Sequence, residues 1–483
     1  MDPPTDVPPF VLPSPTALSL ARSKIHTHLP ATGQGHVPTT THLTSLTPGF
    51  SASSRSSRYY GFVTGGCTPT ALFADHLVST HDQNVQVHLP NETIATDVEA
   101  AALGMMCQLF GLEEGQWGHR TFTTGATAGN VLGLAAGREA VVRIAGERRG
   151  RERMSVAEMG LVGAMRGADI DEVRVLTCEE HSSLRKACSV VGLGHGCLID
   201  VGRKGEASGV DLGRLREELG REGRASIIAV SCAEVNTGLF ATGARGEMEE
   251  IRRLADEFGA WVHVDAAFGL LAKVLPDGEE FEEVKRGVEG MELADSIAGD
   301  AHKLFNVPYD CGFFLSKHLD VGTQVFQNPG APYLSAAAGS IPSPLNIGLE
   351  NSRRFRALPV YANLVAYGQA GYREMLERQV RFSRRIAQYM LDSDAYELLP
   401  ATAQTGTARL ASIYIIVLFR AKDVQINDEL IKRINDQRKI YCSGTKWQGK
   451  PAIRFAVSNW QVDTDKDWPV VEEVLNKAIH NNV

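Results

Sequence analysis

The chain has 483 residues, 43% of them hydrophobic and 22% charged, with a net charge of −8 at pH 7. That length suffices for two or three domains with sizeable cores, and the acidic balance, with a pI of about 6.0, argues against a broad nucleic-acid or anionic-membrane surface. The eight cysteines show no CxxC pair and no ligand-like His/Cys spacing, no apolar leader follows Met1-Asp-Pro-Pro4, and no run of about 18 apolar residues occurs, so reduced thiols, no metal, no membrane partner and a cytoplasmic location are expected.

Residues 1–57 are rich in Pro, Ser and Thr. They predict a partly flexible surface arm with one helix near residues 17–27, able to pack on a second subunit. A large domain is expected over residues 58–380. Within it, residues 96–110 carry apolar side chains at helical spacing. The turn Thr121-Phe-Thr-Thr-Gly-Ala-Thr127 then opens a helical run over residues 128–144. Free N–H groups and the positive dipole end at such a turn suit a phosphate, although a plain N-cap has the same composition.

Strands are predicted at 173–178, 225–231, 261–264 and 311–316, alternating with helices at 182–191 and 247–258. This alternation argues for a mostly parallel sheet with helices on both faces. Small residues and prolines over 318–351, with the lone Tyr333, predict a mobile catalytic loop. A helical connector follows over 352–392, interrupted at Pro359. Residues 381–483 read strand, helix, strand, helix, which predicts a small C-terminal α/β domain.

Two short runs concentrate polar groups where a core strand should hold none. Trp261-Val-His-Val264 leads directly into Asp265, and the run from Asp295 gives way to Asp300, His302 and Lys303. A buried carboxylate is costly without a partner. A cationic heterocycle would be such a partner, and a nearby lysine could tether it, which together describe pyridoxal 5'-phosphate. Taken singly, each of these residues, like His181, reads as a cap or a solvated group. Their shared place at strand carboxyl ends, where open α/β sheets take ligands, favours a site.

On these residues the chain resembles the group II pyridoxal-phosphate-dependent amino-acid decarboxylases, the family of aromatic-L-amino-acid and glutamate decarboxylases. The resemblance is carried by His263-Val-Asp-Ala-Ala267, by the run from Asp295 to Lys303 and by Asn306-Val-Pro-Tyr-Asp-Cys-Gly312. It extends to Tyr60-Gly-Phe-Val-Thr-Gly-Gly66, Ser352-Arg-Arg-Phe-Arg-Ala-Leu358 and Arg454-Phe-Ala-Val-Ser-Asn-Trp460. A fold-type I architecture like that of the pyridoxal-phosphate transferases is implied, with a seven-stranded, mostly parallel sheet, and so is a homodimer with shared active sites.

Residue by residue, the resemblance implies that Lys303 holds the cofactor as a Schiff base and that Asp265 pairs with the pyridine nitrogen. His181 would stack on one ring face, with Ala267 against the other. Ala126, Thr127 and His302 would bind the phosphate, Asp300 would stand in the same cofactor-binding run, and Ser352 would reach the phosphate from the partner subunit. Tyr333 falls where the family carries the tyrosine that protonates the product. Phe62, Val63, Val87 and His88 are expected to wall the substrate.

The implied activity is decarboxylation of an L-amino acid, aromatic or bulky and apolar, to its amine and carbon dioxide. An oxidative deaminase or aldehyde synthase, an aminotransferase, and a non-catalytic cofactor-binding scaffold are the alternatives on the same fold. Two departures mark a divergent branch: Asp300-Ala-His-Lys303 where aromatic decarboxylases read Asn-Pro-His-Lys, and Glu234-Val-Asn-Thr-Gly238 where they carry a run of threonines.

Overall fold

The apolar runs assemble, in the computed structural model, into two sheets. Residues 8–151, 154–328, 341–402, 404 and 406–480 are described. In chain order the strands are β1 (Tyr59–Tyr60), β2 (His119–Thr123), β3 (Glu172–Thr177), β4 (Leu198–Asp200), β5 (Arg224–Ser231), β6 (Trp261–Asp265), β7 (Ser296–Asp300), β8 (Gly312–Ser316), β9 (Tyr396–Leu399), β10 (Ile416–Ala421), β11 (Tyr441–Trp447) and β12 (Lys450–Ala456). Seven of them form the large sheet, ordered β2-β8-β7-β6-β5-β3-β4. Only β8 runs against its neighbours; the pairs from β7 through β4 are parallel. The mostly parallel seven-stranded sheet expected from sequence is therefore present.

Both faces of this sheet are covered, which is why β5 and β7 are almost continuously buried rather than alternating. On one face lies the helix Ala126–Arg148, apolar on nearly all sides and buried along most of its length. It lies close to β6 because Gly133 faces His263: a Cβ there would stand 2.3 Å from the imidazole Cε1. Covering the opposite side, the amphipathic helix Arg245–Phe258 buries Met248, Ile251, Leu254 and Ala255 at helical spacing. It ends at Gly259, whose φ of 74° suits a residue without Cβ.

The register brings strand ends to one level. Ser231 of β5 pairs with Asp265 of β6, and Asp265 with Ala298 of β7. Asp265 and Asp300 thus emerge along one sheet edge, the carboxyl edge where such sheets bind ligands.

Several elements differ from the sequence expectation. The arm contains two helices, Pro15–Ser23 and His36–Leu46, rather than one. Strand β1 lies within the segment expected in the large domain, yet it pairs with β11 and places Tyr60 in the core that packs on the second sheet, with Phe419 and Phe455. Within the expected loop, Leu319–Phe326 is a helix. Pro359 interrupts nothing, because it sits in the first turn of the helix Ala357–Asp392, where its missing N–H has no partner to lose. A core cluster of the large sheet and the core of the second sheet meet in that helix, with Val380 in the first and Phe382 in the second. Among the described residues no helix is long and apolar enough to cross a membrane.

Candidate active site

Beyond Asp300 the chain turns directly into the short helix Ala301–Leu304, which carries His302 and Lys303. Lys303 Nζ is 2.8 Å from Asp300 Oδ2 and 5.6 Å from the centroid of the Phe268 ring. Gly65 packs against this turn so closely that a Cβ would lie 1.7 Å from the Lys303 carbonyl oxygen. Asn306 Nδ2 donates to the Gly65 carbonyl at 2.8 Å and locks the two segments together.

Asp300 reaches across to the head of the helix Ala126–Arg148. The Ala126 amide donates to Asp300 Oδ1 at 2.6 Å, and His302 Nε2 lies 3.5 Å from the same oxygen. Burial alone would push the Asp300 carboxyl up, but Lys303, His302 and the Ala126 amide outweigh it and hold the group below the usual carboxylate range. Burial is also the main reason that the His302 imidazole is pushed down. The Cys311 amide donates to His302 Nδ1 at 3.3 Å. Thr127, one residue into the helix, is exposed.

At the end of β6, Asp265 Oδ2 accepts Asn130 Nδ2 at 2.8 Å, and Oδ1 accepts the Ala267 amide at 3.3 Å. Asn130 Nδ2 also lies 3.1 Å from Ser183 Oγ, which stands 2.6 Å from His181 Nδ1. His181 caps the helix Ser182–Val190, its Nδ1 accepting the Ser183 amide at 3.2 Å, and its ring is exposed. Lys303, His302 and Ala126 thus contact Asp300, while Ala267 and Asn130 contact Asp265 and Ser183 links Asn130 to His181; the helix Ala126–Arg148 carries a member of each set, Ala126 and Asn130, one turn apart.

The remaining predicted residues divide. Val63 is buried and Phe62 is 62% exposed, the two lying just before Gly65. Arg454 Nη2 donates to the Phe62 carbonyl at 3.1 Å. Val87, His88 and Ser352 belong to a second group: the His88 amide donates to Ser343 Oγ at 3.2 Å, and Ser352 Oγ donates to Gln86 Oε1 at 3.0 Å. Arg353 and Glu99 form a buried ion pair beneath it. No hydrogen bond or ion pair among the described residues joins this group to Asp265, Asp300, His302 or Lys303. Tyr333 lies outside the described residues.

Asn130 and Ser183 were not singled out from sequence. An asparagine within the apolar and small-residue run from Ala128 to Gly137, one turn past the helix start, was the available signal for Asn130, since a buried amide needs partners. Glu179 was also passed over. It lines a cavity of about 660 Å³ beside the site together with Glu234, Arg185 and Trp447.

A lysine amine, a carboxylate held by an amide donor, an exposed imidazole and a helix head whose first amide already holds a carboxylate oxygen form a donor set that fits pyridoxal phosphate: Lys303 for the aldehyde, Asp265 for the ring nitrogen, His181 for the ring face and Ala126 for the phosphate, in exchange for Asp300. Asp300 brings a like charge to the phosphate end. Among the described residues no cluster of three or more His, Cys, Asp or Glu side chains is placed to hold a metal ion.

Residues 44–408 match the pyridoxal-dependent decarboxylase conserved domain. The L-2,4-diaminobutyrate decarboxylase of Acinetobacter baumannii is 26% identical over 347 residues, 70% of this chain and 63% of that protein, so the chain spans less than two thirds of that relative. The phenylacetaldehyde synthase of Arabidopsis thaliana is 24% identical over 80% of this chain and 75% of its own length. Among solved structures, Oryza sativa TDC with pyridoxal phosphate and tryptamine superposes with a TM-score of 0.77 at 20% identity, covering 97% of this chain and 94% of that one, a likeness of fold.

Proposed function

The chain belongs to the pyridoxal-dependent decarboxylases, and from that premise we propose that it removes the α-carboxylate of an L-amino acid, aromatic or bulky and apolar, releasing the amine and carbon dioxide. One observation supports the reading: Lys303 pairs with Asp300 at the head of the helix Ala126–Arg148, and one turn further on Asn130 of that helix holds Asp265 and, through Ser183, reaches the exposed His181. When bound, pyridoxal phosphate supplies an electron sink for the electrons of the bond from Cα to the carboxylate.

The chain's own groups supply the rest. Lys303 tethers and yields to the substrate amine, and Asp265 gives the ring nitrogen a fixed anionic partner. His181 offers an exposed polar ring held by Ser183. It and Tyr333 are assigned the return of a proton to Cα. Phe62 and Val63, immediately before the Gly65 contact, offer an apolar wall.

Val87, His88 and Ser352 cluster apart from the lysine turn. That separation supports a site completed by a second copy of the chain.

Purified protein supplied with pyridoxal phosphate and a panel of L-amino acids tests the reading. Carbon dioxide and the matching amine are expected, with a visible absorption band that a Lys303→Ala variant lacks. No carbon dioxide from any amino acid would sink it, and peroxide with aldehyde in place of the amine would replace decarboxylation by oxidative deamination.

A further inference from the structure

The hydrogen bonds beneath the site have a direction, and it can be read without seeing a hydrogen. Asp265 can only accept, so the Asn130 atom facing its Oδ2 at 2.8 Å is the amide nitrogen. The Asn130 carbonyl oxygen therefore faces His263 Nε2 at 2.9 Å, and that nitrogen must donate. His263 is fully buried and burial pushes it down to about 4, so the ring is neutral and its Nδ1 is a lone pair. Ser296 Oγ, 2.8 Å away, supplies the hydrogen to that nitrogen. It is free to do so, because its own acceptor site is filled by the Trp261 indole N–H at 2.9 Å, a group that can only donate.

On the other side of Asn130 the order continues. The second amide hydrogen goes to Ser183 Oγ at 3.1 Å, and the Ser183 hydrogen goes on to His181 Nδ1 at 2.6 Å. The Ser183 backbone N–H donates to the same nitrogen at 3.2 Å. With two donors converging on Nδ1, the His181 hydrogen sits on Nε2. A single amide thus bonds Asp265 directly and reaches His181 through Ser183.

We propose that Asn130 is a positioning residue that fixes the plane of the Asp265 carboxylate and, through Ser183, the Nε2–H tautomer of His181, so that the exposed imidazole presents a donor edge to whatever acidic group binds above it. The proposal rests on the cofactor-binding reading of this site, and its reaction-independent part is the tautomer. Trp261, Ser296 and His263 serve to hold the Asn130 amide the right way round: with the amide reversed, two acceptors would face each other at Asp265 and two donors at His263.

The test is ¹⁵N NMR of protein labelled at histidine, with the His181 signals assigned by their loss in His181→Gln, alongside absorbance titration with pyridoxal phosphate. In the unsubstituted protein His181 should show a bare Nδ1 and a protonated Nε2. Asn130→Asp places an acceptor where Asn130 donates, so Ser183 turns its hydrogen to it. His181 should then move toward the Nδ1–H form, and cofactor affinity should fall by about tenfold or more.

Ser183→Ala removes the hydroxyl donor to His181 Nδ1 and leaves only the backbone N–H, so the Nδ1–H form of His181 should gain population; it keeps the question answerable if Asn130→Asp fails to fold. An unchanged His181 tautomer in Ser183→Ala, or in a folded Asn130→Asp protein, overturns the proposal. A shifted tautomer in a protein that releases no carbon dioxide from any amino acid sinks the proposed activity and leaves this inference standing.

Discussion

The Asp300 carboxylate accepts the amide of Ala126 at 2.6 Å, at the head of the helix where a phosphate would be received. The same carboxylate pairs with Lys303 at 2.8 Å. An internal anion thus shares the seat of the incoming one. Like charges about 4 Å apart in an effective dielectric near 20 repel by about 4 kcal/mol, and a third of that is already about tenfold in affinity.

Asp300→Asn should therefore bind pyridoxal phosphate about tenfold more tightly at neutral pH. The carboxyl is held low in the folded protein, so its stabilising pairing is present above the ordinary aspartate pKa and lost as pH falls through the folded value. The asparagine variant should lack that acid-side loss. Equal or weaker cofactor binding in the variant, measured by absorbance titration, would show that Asp300 does not compete with the phosphate.

His181 is exposed and its structural task is limited to capping the helix Ser182–Val190. His181→Ala should cost about 1 kcal/mol of stability from the lost cap. If His181 takes part in proton return, turnover should fall by about 10²–10⁴-fold. The decisive comparison is kcat for amine formation against the denaturation midpoint. A fall in turnover no larger than the stability change would assign His181 to capping alone.

Much of this site was legible because strand ends betray themselves: an apolar run that stops at Asp265, or at Asp300, His302 and Lys303, has no reason to carry charge unless something binds there. Asn130 and Ser183 escaped because each is a polar residue in a helix that carries others, and what makes them matter is a contact with a residue far away in sequence, Asp265 for the first and Asn130 for the second. Strand β1 was hidden for the same reason, since two tyrosines become a strand only by pairing with Tyr441 and Cys442. The helix Leu319–Phe326 was masked by the prolines and small residues that follow it.

Gly133→Ala should be far more damaging than an ordinary glycine replacement in a helix. Its Cβ would come within 2.3 Å of the His263 ring, which holds Asn130 in place. Overpacking of this kind costs about 1–3 kcal/mol, and cofactor affinity should drop with it. Gly246→Ala is the control. Nothing lies within 4 Å of the added Cβ on the helix Arg245–Phe258, so that change should stabilise by about 1 kcal/mol. Chemical denaturation of both variants checks the pair, and a Gly133→Ala protein as stable as its parent would refute the close packing of this helix on β6.

Glu179 follows β3 with a φ of 55°, in the left-handed region, two residues before His181. Burial first, and then the neighbouring Glu234 carboxylate, push its carboxyl up to about 8. In the unfolded chain the group titrates near its ordinary value of about 4.3. Between those two values the folded protein holds a proton that the unfolded chain has released. Stability from this group is therefore complete below the unfolded pKa and is lost as pH rises through the folded one. Glu179→Gln keeps the shape and removes the titration. Compared at about pH 5 and about pH 8.5, the glutamine variant should gain on the parent at the higher pH by on the order of 1 kcal/mol or more. Denaturant midpoints at constant m-value measure the difference. A gap between parent and variant that does not widen with pH would mean that Glu179 is already ionised in the folded protein.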